Sequence, residues 1–198
     1  MSHRITILTL SRKWGGRCVA GYDHTDSRVV RLVSDIHGKE LNAQLTAGVN
    51  LLDVVDVDIL CSCPNEHQIE NILISPDSNL TVTGSTNVIE SFAPLAYNSG
   101  NIFGNTHCKI SDALDMDHSI ELIKFSRMSI YVENGTTKAD FFAGGKLHRW
   151  YRVTDIVHEG KAAMILKGYA IITIPPSDAF TSENGYYKYA AAIYPTNI

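Results

Sequence analysis

Ile5-Thr6-Ile7-Leu8-Thr9-Leu10, followed by Ser11-Arg12-Lys13-Trp14-Gly15-Gly16-Arg17-Cys18-Val19-Ala20-Gly21, decides how the rest of this chain is read. The first six residues form an apolar, strand-like run. The next eleven put three cations, two adjacent glycines and one aromatic around a turn. Glycines let the backbone curl so that successive N–H groups can face an anion. Arg12, Lys13 and Arg17 add charge, and Trp14 adds a surface on which a base could stack. Arg28-Val29-Val30-Arg31-Leu32-Val33-Ser34 brings two more cations on a further strand-like stretch. The pattern fits a surface that holds phosphate. It equally fits a plain β-hairpin with solvated charges.

Working outward, the chain reads as mainly β. Strands are expected at 5–10, 17–22, 28–33, 51–60, 79–83, 122–132, 138–143, 147–153, 165–174 and 186–194. Gly15-Gly16, Asn134-Gly135, Gly144-Gly145, Glu159-Gly160 and Asn184-Gly185 punctuate them, and Asn-Gly is the strongest of these hairpin signals. Short helices are expected over 39–47, 111–116 and 119–122, with one turn at 177–180. Two blocks of strands flank a stretch with Pro64, Pro76 and Pro94 and many polar residues. That layout predicts two small β-barrels, 1–62 and 118–198, joined by an irregular acidic connector at 63–117.

Charge follows the same division. Residues 1–31 carry six Lys/Arg against Asp23 and Asp26, residues 50–121 carry only Lys109 against eleven acids, and residues 122–198 carry nine Lys/Arg against six acids. A net charge of −4 thus conceals two basic ends around an acidic middle. The basic ends suit a polyanion. The acidic middle, 50–121, suits a basic protein partner, or it simply aids solubility.

Composition narrows the class further. With 44% hydrophobic and 19% charged residues, the chain has the make-up of an ordinary globular protein. It has no apolar run of about 18 residues, so no membrane association is expected. No secretory leader is recognisable, and the expected location is cytoplasmic. Four cysteines, Cys18, Cys61, Cys63 and Cys108, lack paired metal-ligand spacing. A zinc site using Cys61, Cys63, His67 and His107 is the lesser reading, and reduced thiols the preferred one.

The opening stretch, together with Arg31-Leu32-Val33-Ser34, resembles the start of the prokaryotic dual OB-containing domain family. Ser119-Ile120-Glu121-Leu122-Ile123-Lys124 is similar to the point where that family begins its second barrel. Val153-Thr154-Asp155, the strand over 166–174 and Tyr187-Lys188-Tyr189-Ala190-Ala191-Ala192-Ile193 match its end. The resemblance implies two OB-like barrels and oligonucleotide binding, in the company of prokaryotic defence or mobile-element systems. It implies no catalytic residues. Two departures stand out. Val29 to Ser34 lacks the aromatic and the proline of the family's Trp-Ile-Arg-Pro-Val-Ser, and Lys138-Ala139-Asp140-Phe141 has an acid where the family carries a cation.

Known catalytic fingerprints are missing from the sequence. Asp53, Asp56 and Asp58, and separately Asp112, Asp115, Asp117 and His118, could be imagined around magnesium, but solvated edges explain both groups. His148-Arg149-Trp150-Tyr151-Arg152 has the composition of a base-stacking, phosphate-pairing strand. Simple alternation puts His148, Trp150 and Arg152 on one face and Arg149 and Tyr151 on the other. The expectation is a non-enzymatic protein without cofactor or metal that binds single-stranded DNA or RNA. The residues expected to do so are Arg12, Lys13, Trp14, Gly15, Gly16, Arg17, Arg31, Arg149, Trp150 and Arg152. A protein-docking subunit and a sensor of a small nucleotide are the alternatives.

Overall fold

A computed structural model describes residues 1–13, 15–111, 116–176, 181–182 and 185–196. The chain forms two compact units, Met1–Val88 and Ile89–Ile198.

The first unit contains β1 (Ser2–Lys13), β2 (Gly16–Asp23), β3 (Arg28–Val33), β4 (Leu41–Asn42), β5 (Asp53–Ser62), β6 (Asn71–Ile74) and β7 (Thr81–Ser85). β1, β2 and β3 form an antiparallel meander, β6 runs parallel to β3, and β5 joins β6 back to β1. Five strands therefore close on themselves in the order β1-β2-β3-β6-β5. Ile5, Ile7, Val19, Val30, Leu32, Val55, Val57 and Ile72 fill the interior, each almost wholly removed from water. β4 adds to β2, and β7 adds to β5.

The second unit begins with a 3₁₀ helix (Ile89–Leu95). It continues with β8 (Lys109–Ile110), β9 (Ile120–Glu133), β10 (Thr136–Ala143), β11 (Lys146–Val153), β12 (Ala163–Ile165), β13 (Gly168–Thr173), β14 (Thr181–Ser182), β15 (Gly185–Tyr187) and β16 (Tyr189–Pro195). Its closed order is β9-β10-β11-β16-β13, again with one parallel pair, β11 with β16. Both units thus have the same five-strand connectivity: first, second, third, fifth, fourth and back to the first. That closed Greek-key barrel is the OB fold. Phe125, Met128, Ile130, Phe141, Tyr151, Ile172 and Ile193 pack its second core. Asn134 and Gly135, with φ of 50° and 74°, form the two-residue turn between β9 and β10 that their sequence favours.

The expected mainly-β pair of OB barrels is present, with several local differences. The stretch expected as a connector is shared between the units: β6 and β7 belong to the first sheet and the 3₁₀ helix to the second unit. β6 has only four residues, too short for its period to stand out beside Pro64 and Pro76. Residues 39–47 form β4 and a run of turns instead of a helix, and 120–122 are the start of β9. Of the other two expected helices, 177–180 and most of 111–116 lie outside the described residues. The strand expected at 165–174 divides into β12 and β13, and that at 186–194 divides at Lys188.

Candidate nucleic-acid interface

β11 does not alternate as its sequence suggests. Phe141 pairs with His148 and Ala139 with Tyr151, so one residue of β10, Asp140, lies opposite two of β11, Arg149 and Trp150. This β-bulge shifts the phase of the strand by one position. His148, Tyr151 and Val153 point inward, whereas Leu147, Arg149, Trp150 and Arg152 are exposed. Trp150 has φ of 64°, an uncommon conformation for so large a residue, and the residue is 57% exposed. Asp140 holds this geometry, accepting the Trp150 backbone N–H at 2.9 Å and the Tyr131 hydroxyl at 3.0 Å. Burial, then the bond to Asp140, pushes the Tyr131 hydroxyl up to about 12, so it remains a donor at neutral pH.

Cross-strand partners share a face of the sheet. Arg127 opposes Phe142, which opposes Leu147; Tyr131 opposes Lys138, which opposes Arg152. The outer surface of β9, β10 and β11 therefore sets Arg127, Lys138 and Arg152 beside Phe142, Leu147 and Tyr131, with Lys138 held by Glu133. Among the described residues no carboxylate pairs with Arg127, Arg149 or Arg152. Phe142, Leu147 and Arg127 carry no motif of their own; only strand register places them beside Trp150.

Along one margin of this surface runs a groove of ≈ 590 Å³, lined by Asn105, His107, Lys109, Leu147, Arg149 and Trp150 among others. Its far wall is the segment 105–109. The Tyr151 hydroxyl supports it from below by donating to the His107 carbonyl at 3.0 Å, and Asn105 Nδ2 donates to the Lys109 carbonyl at 3.1 Å. Lys109 also sits 4.3 Å from the centre of the Tyr187 ring. Beneath β11, His148 stacks on Phe141 and is held neutral: burial, then the nearby Lys188 ammonium, pulls its pKa down to about 4.

In the first unit the basic hairpin joins β1 to β2. Trp14 lies outside the described residues. Arg12 and Arg17 are direct cross-strand partners, so two like charges share one face. Lys13 forms an ion pair with Glu40 at 3.5 Å. The glycines do not form the anion cradle that their pairing invites. Gly15 gives its N–H to the Lys13 carbonyl, and neither glycine has a positive φ. Gly16 instead permits close approach, since a Cβ there would lie 2.3 Å from the Leu41 carbonyl oxygen on β4. Arg31 does not reach the surface. It is 4% exposed, pairs with Glu70 at 3.2 Å and donates to Cys18 Sγ. Burial works against its charge, but Cys18 and Glu70 outweigh that and raise its pKa.

The acidic middle is partly consumed in the same way. Asp56 binds Arg4, Glu70 binds Arg31, Asp117 binds His118, and Glu121 accepts from both His118 and the Phe103 N–H. Asp112 and Asp115 lie outside the described residues. One cluster had no sequence signal: His3, twenty residues or more from Asp23 and Asp26 in the chain, brings a ligand atom within 4.8 Å of theirs. His3 Nδ1 lies 2.7 Å from Asp23, and Asp23 also accepts the Thr25 N–H, so these groups satisfy one another.

Two closed OB barrels in tandem define the class. Residues 3–193 match the model of the dual OB-containing domain, and the chain belongs to that family. No curated protein matches it. Among solved structures, "Crystal structure of the tetrameric p202 HIN2" is similar at 9% identity over 96% of this chain and 89% of that one, with a TM-score of 0.33. No helix among the described residues is long and apolar enough to cross a membrane.

Proposed function

We propose that this chain is a non-enzymatic protein that binds single-stranded nucleic acid on the outer face of β10 and β11. The bulged presentation of Trp150 carries the reading. A large ring is held in a strained backbone conformation, exposed, between arginines that no carboxylate among the described residues pairs with, at the lip of a groove. In OB barrels the second and third strands, with the loops joining strands one to two and four to five, form the usual oligonucleotide surface. Here β10 and β11 hold those positions, and β15 lies in the fourth-to-fifth connection beside β8, which carries Lys109. Bases would stack on Trp150 and Phe142, while Arg127, Arg149, Arg152 and Lys109 neutralise phosphates. Single strands are favoured because stacking requires bases free of a partner.

Arg12 and Arg17 make the first unit's hairpin a second phosphate contact, without Arg31 or a glycine cradle. A role as accessory to a prokaryotic defence or mobile-element system accompanies the reading through the family resemblance. Fluorescence anisotropy with labelled single-stranded DNA and RNA at low salt tests it. Affinity should rise with oligonucleotide length over several nucleotides and fall with salt as counterions are released. No binding at tens of micromolar, or binding indifferent to salt, refutes it. Saturation by a mononucleotide with no gain from length would favour the small-ligand alternative, which the groove's size also suits.

A further inference from the structure

Lys188, between β15 and β16, is fully buried and makes no ion pair within 4 Å among the described residues. Its ammonium instead donates to the Ile102 carbonyl, to the Asn105 carbonyl at 3.2 Å and to Asn105 Oδ1 at 2.8 Å. Its backbone N–H donates to the Cys108 carbonyl at 2.9 Å. All four acceptors lie on the 102–108 segment, whose residues 105–108 form most of the groove's far wall. Asn105 Oδ1 in turn accepts the His107 N–H, passing the constraint along the wall. Burying a lysine ammonium is costly, and these contacts offset that cost only while the segment stays in place.

We propose that Lys188 is the positioning residue of the groove, its charged ammonium drawing the 102–108 segment against the barrel so that Asn105, His107 and Lys109 face Trp150. The consequence for affinity rests on the nucleic-acid reading above, but the positioning itself does not. A neutral amine has two hydrogens for three acceptors and turns its lone pair toward a carbonyl, so losing the proton releases the segment. Burial brings the ammonium down to about 8, partly countered by Glu121 and Cys108. Among the described residues Tyr151, whose ring lies 5.9 Å away, and His148, already neutral, also face it.

The test is a pH titration from 6.5 to 9.5 following the Lys188 side-chain carbon resonances and the methyl resonances of Ile102 and Ile110, alongside anisotropy with a twelve-residue thymidine oligonucleotide. In the wild type the Ile102 methyl should move with Lys188, with a midpoint near 8, as affinity falls about tenfold. In Lys188→Met the methyl signals should be displaced at every pH and the transition absent, with affinity about tenfold weaker from the start. An Ile102 signal that ignores the Lys188 titration overturns the proposal. So does a transition that survives in Lys188→Met, because it then belongs to another group, such as His118. Should the variant fail to fold, the wild-type titration decides alone. If the oligonucleotide binds wild type and Trp150→Ala equally, the nucleic-acid reading fails, while coupled Lys188 and Ile102 signals still establish the positioning role.

Discussion

The backbone N–H of Trp150 and the hydroxyl of Tyr131 donate to the same carboxylate oxygen, Oδ1 of Asp140. One acid thereby fixes a bulge, the direction of an exposed ring and a neighbouring phenol. By composition alone it counts against a phosphate-binding surface. Its position shows a different use. Asp140 offsets the strain that brings Trp150 to the surface.

Asp140→Ala should therefore destabilise the second unit by about 1.5 kcal/mol, the scale of a hydrogen bond to a charged group. Urea unfolding followed by circular dichroism measures this. Nucleic-acid affinity should also fall although a negative charge has been removed. A gain in affinity would mean that charge, and not the orientation of Trp150, governs the surface.

Trp150→Ala should weaken single-strand binding by roughly 1–3 kcal/mol, about five- to 150-fold, through loss of one stacking platform. Arg149→Ala should act differently. It should lower the slope of log affinity against log salt by about one, with little preference among base sequences. Anisotropy titrations at three or more salt concentrations separate the two effects.

Arg31→Ala and Arg17→Glu divide structure from binding in the first unit. Removing Arg31 leaves Glu70 buried without its cation and should cost about 3–5 kcal/mol of stability. Arg17→Glu places opposite charges across the β1–β2 hairpin, where Arg12 and Arg17 now face each other. It should leave the melting temperature unchanged or slightly raised while reducing affinity for oligonucleotides. A stable Arg31→Ala protein would contradict the buried ion pair.

His118 sets a pH dependence in the second unit. Its hydrogen bond to Glu121, opposed by burial and reinforced by Asp117, raises its pKa above the ordinary value near 6.5. The folded state thus binds the proton more tightly than the unfolded chain. The stabilisation is complete below about pH 6.5 and disappears as pH rises through the raised value. Thermal unfolding at pH 6 and pH 8.5 should show the loss, and His118→Gln should flatten it.

Much of the fold was legible because long strands carry their own period. β1, β2, β3, β9, β10 and β11 all overlap runs that composition and turn residues mark out. What escaped was what depends on partners distant in the chain. β6 is four residues long and is a strand because β3 and β5 flank it. The candidate surface was half visible. Arg149, Trp150 and Arg152 stand out by type, but the bulge that turns Arg149 and Trp150 to one side arises from a register step between β10 and β11 that no single strand encodes. Phe142 and Arg127 join them only through cross-strand pairing. Arg31 misled in the opposite direction: its cation looked available because Glu70, thirty-nine positions away, is what neutralises it.

The closing pair of the second barrel joins β11 to β16, a strand at residues 189–195. The corresponding strand of the first barrel ends at residue 74. As the chain leaves the ribosome, the first unit therefore has every strand it needs while the second is still an open sheet with the edges of β11 and β13 unpaired. Unpaired edges recruit other strands. During that interval the nascent second unit is vulnerable to pairing with a neighbouring chain, whereas the first barrel is already closed.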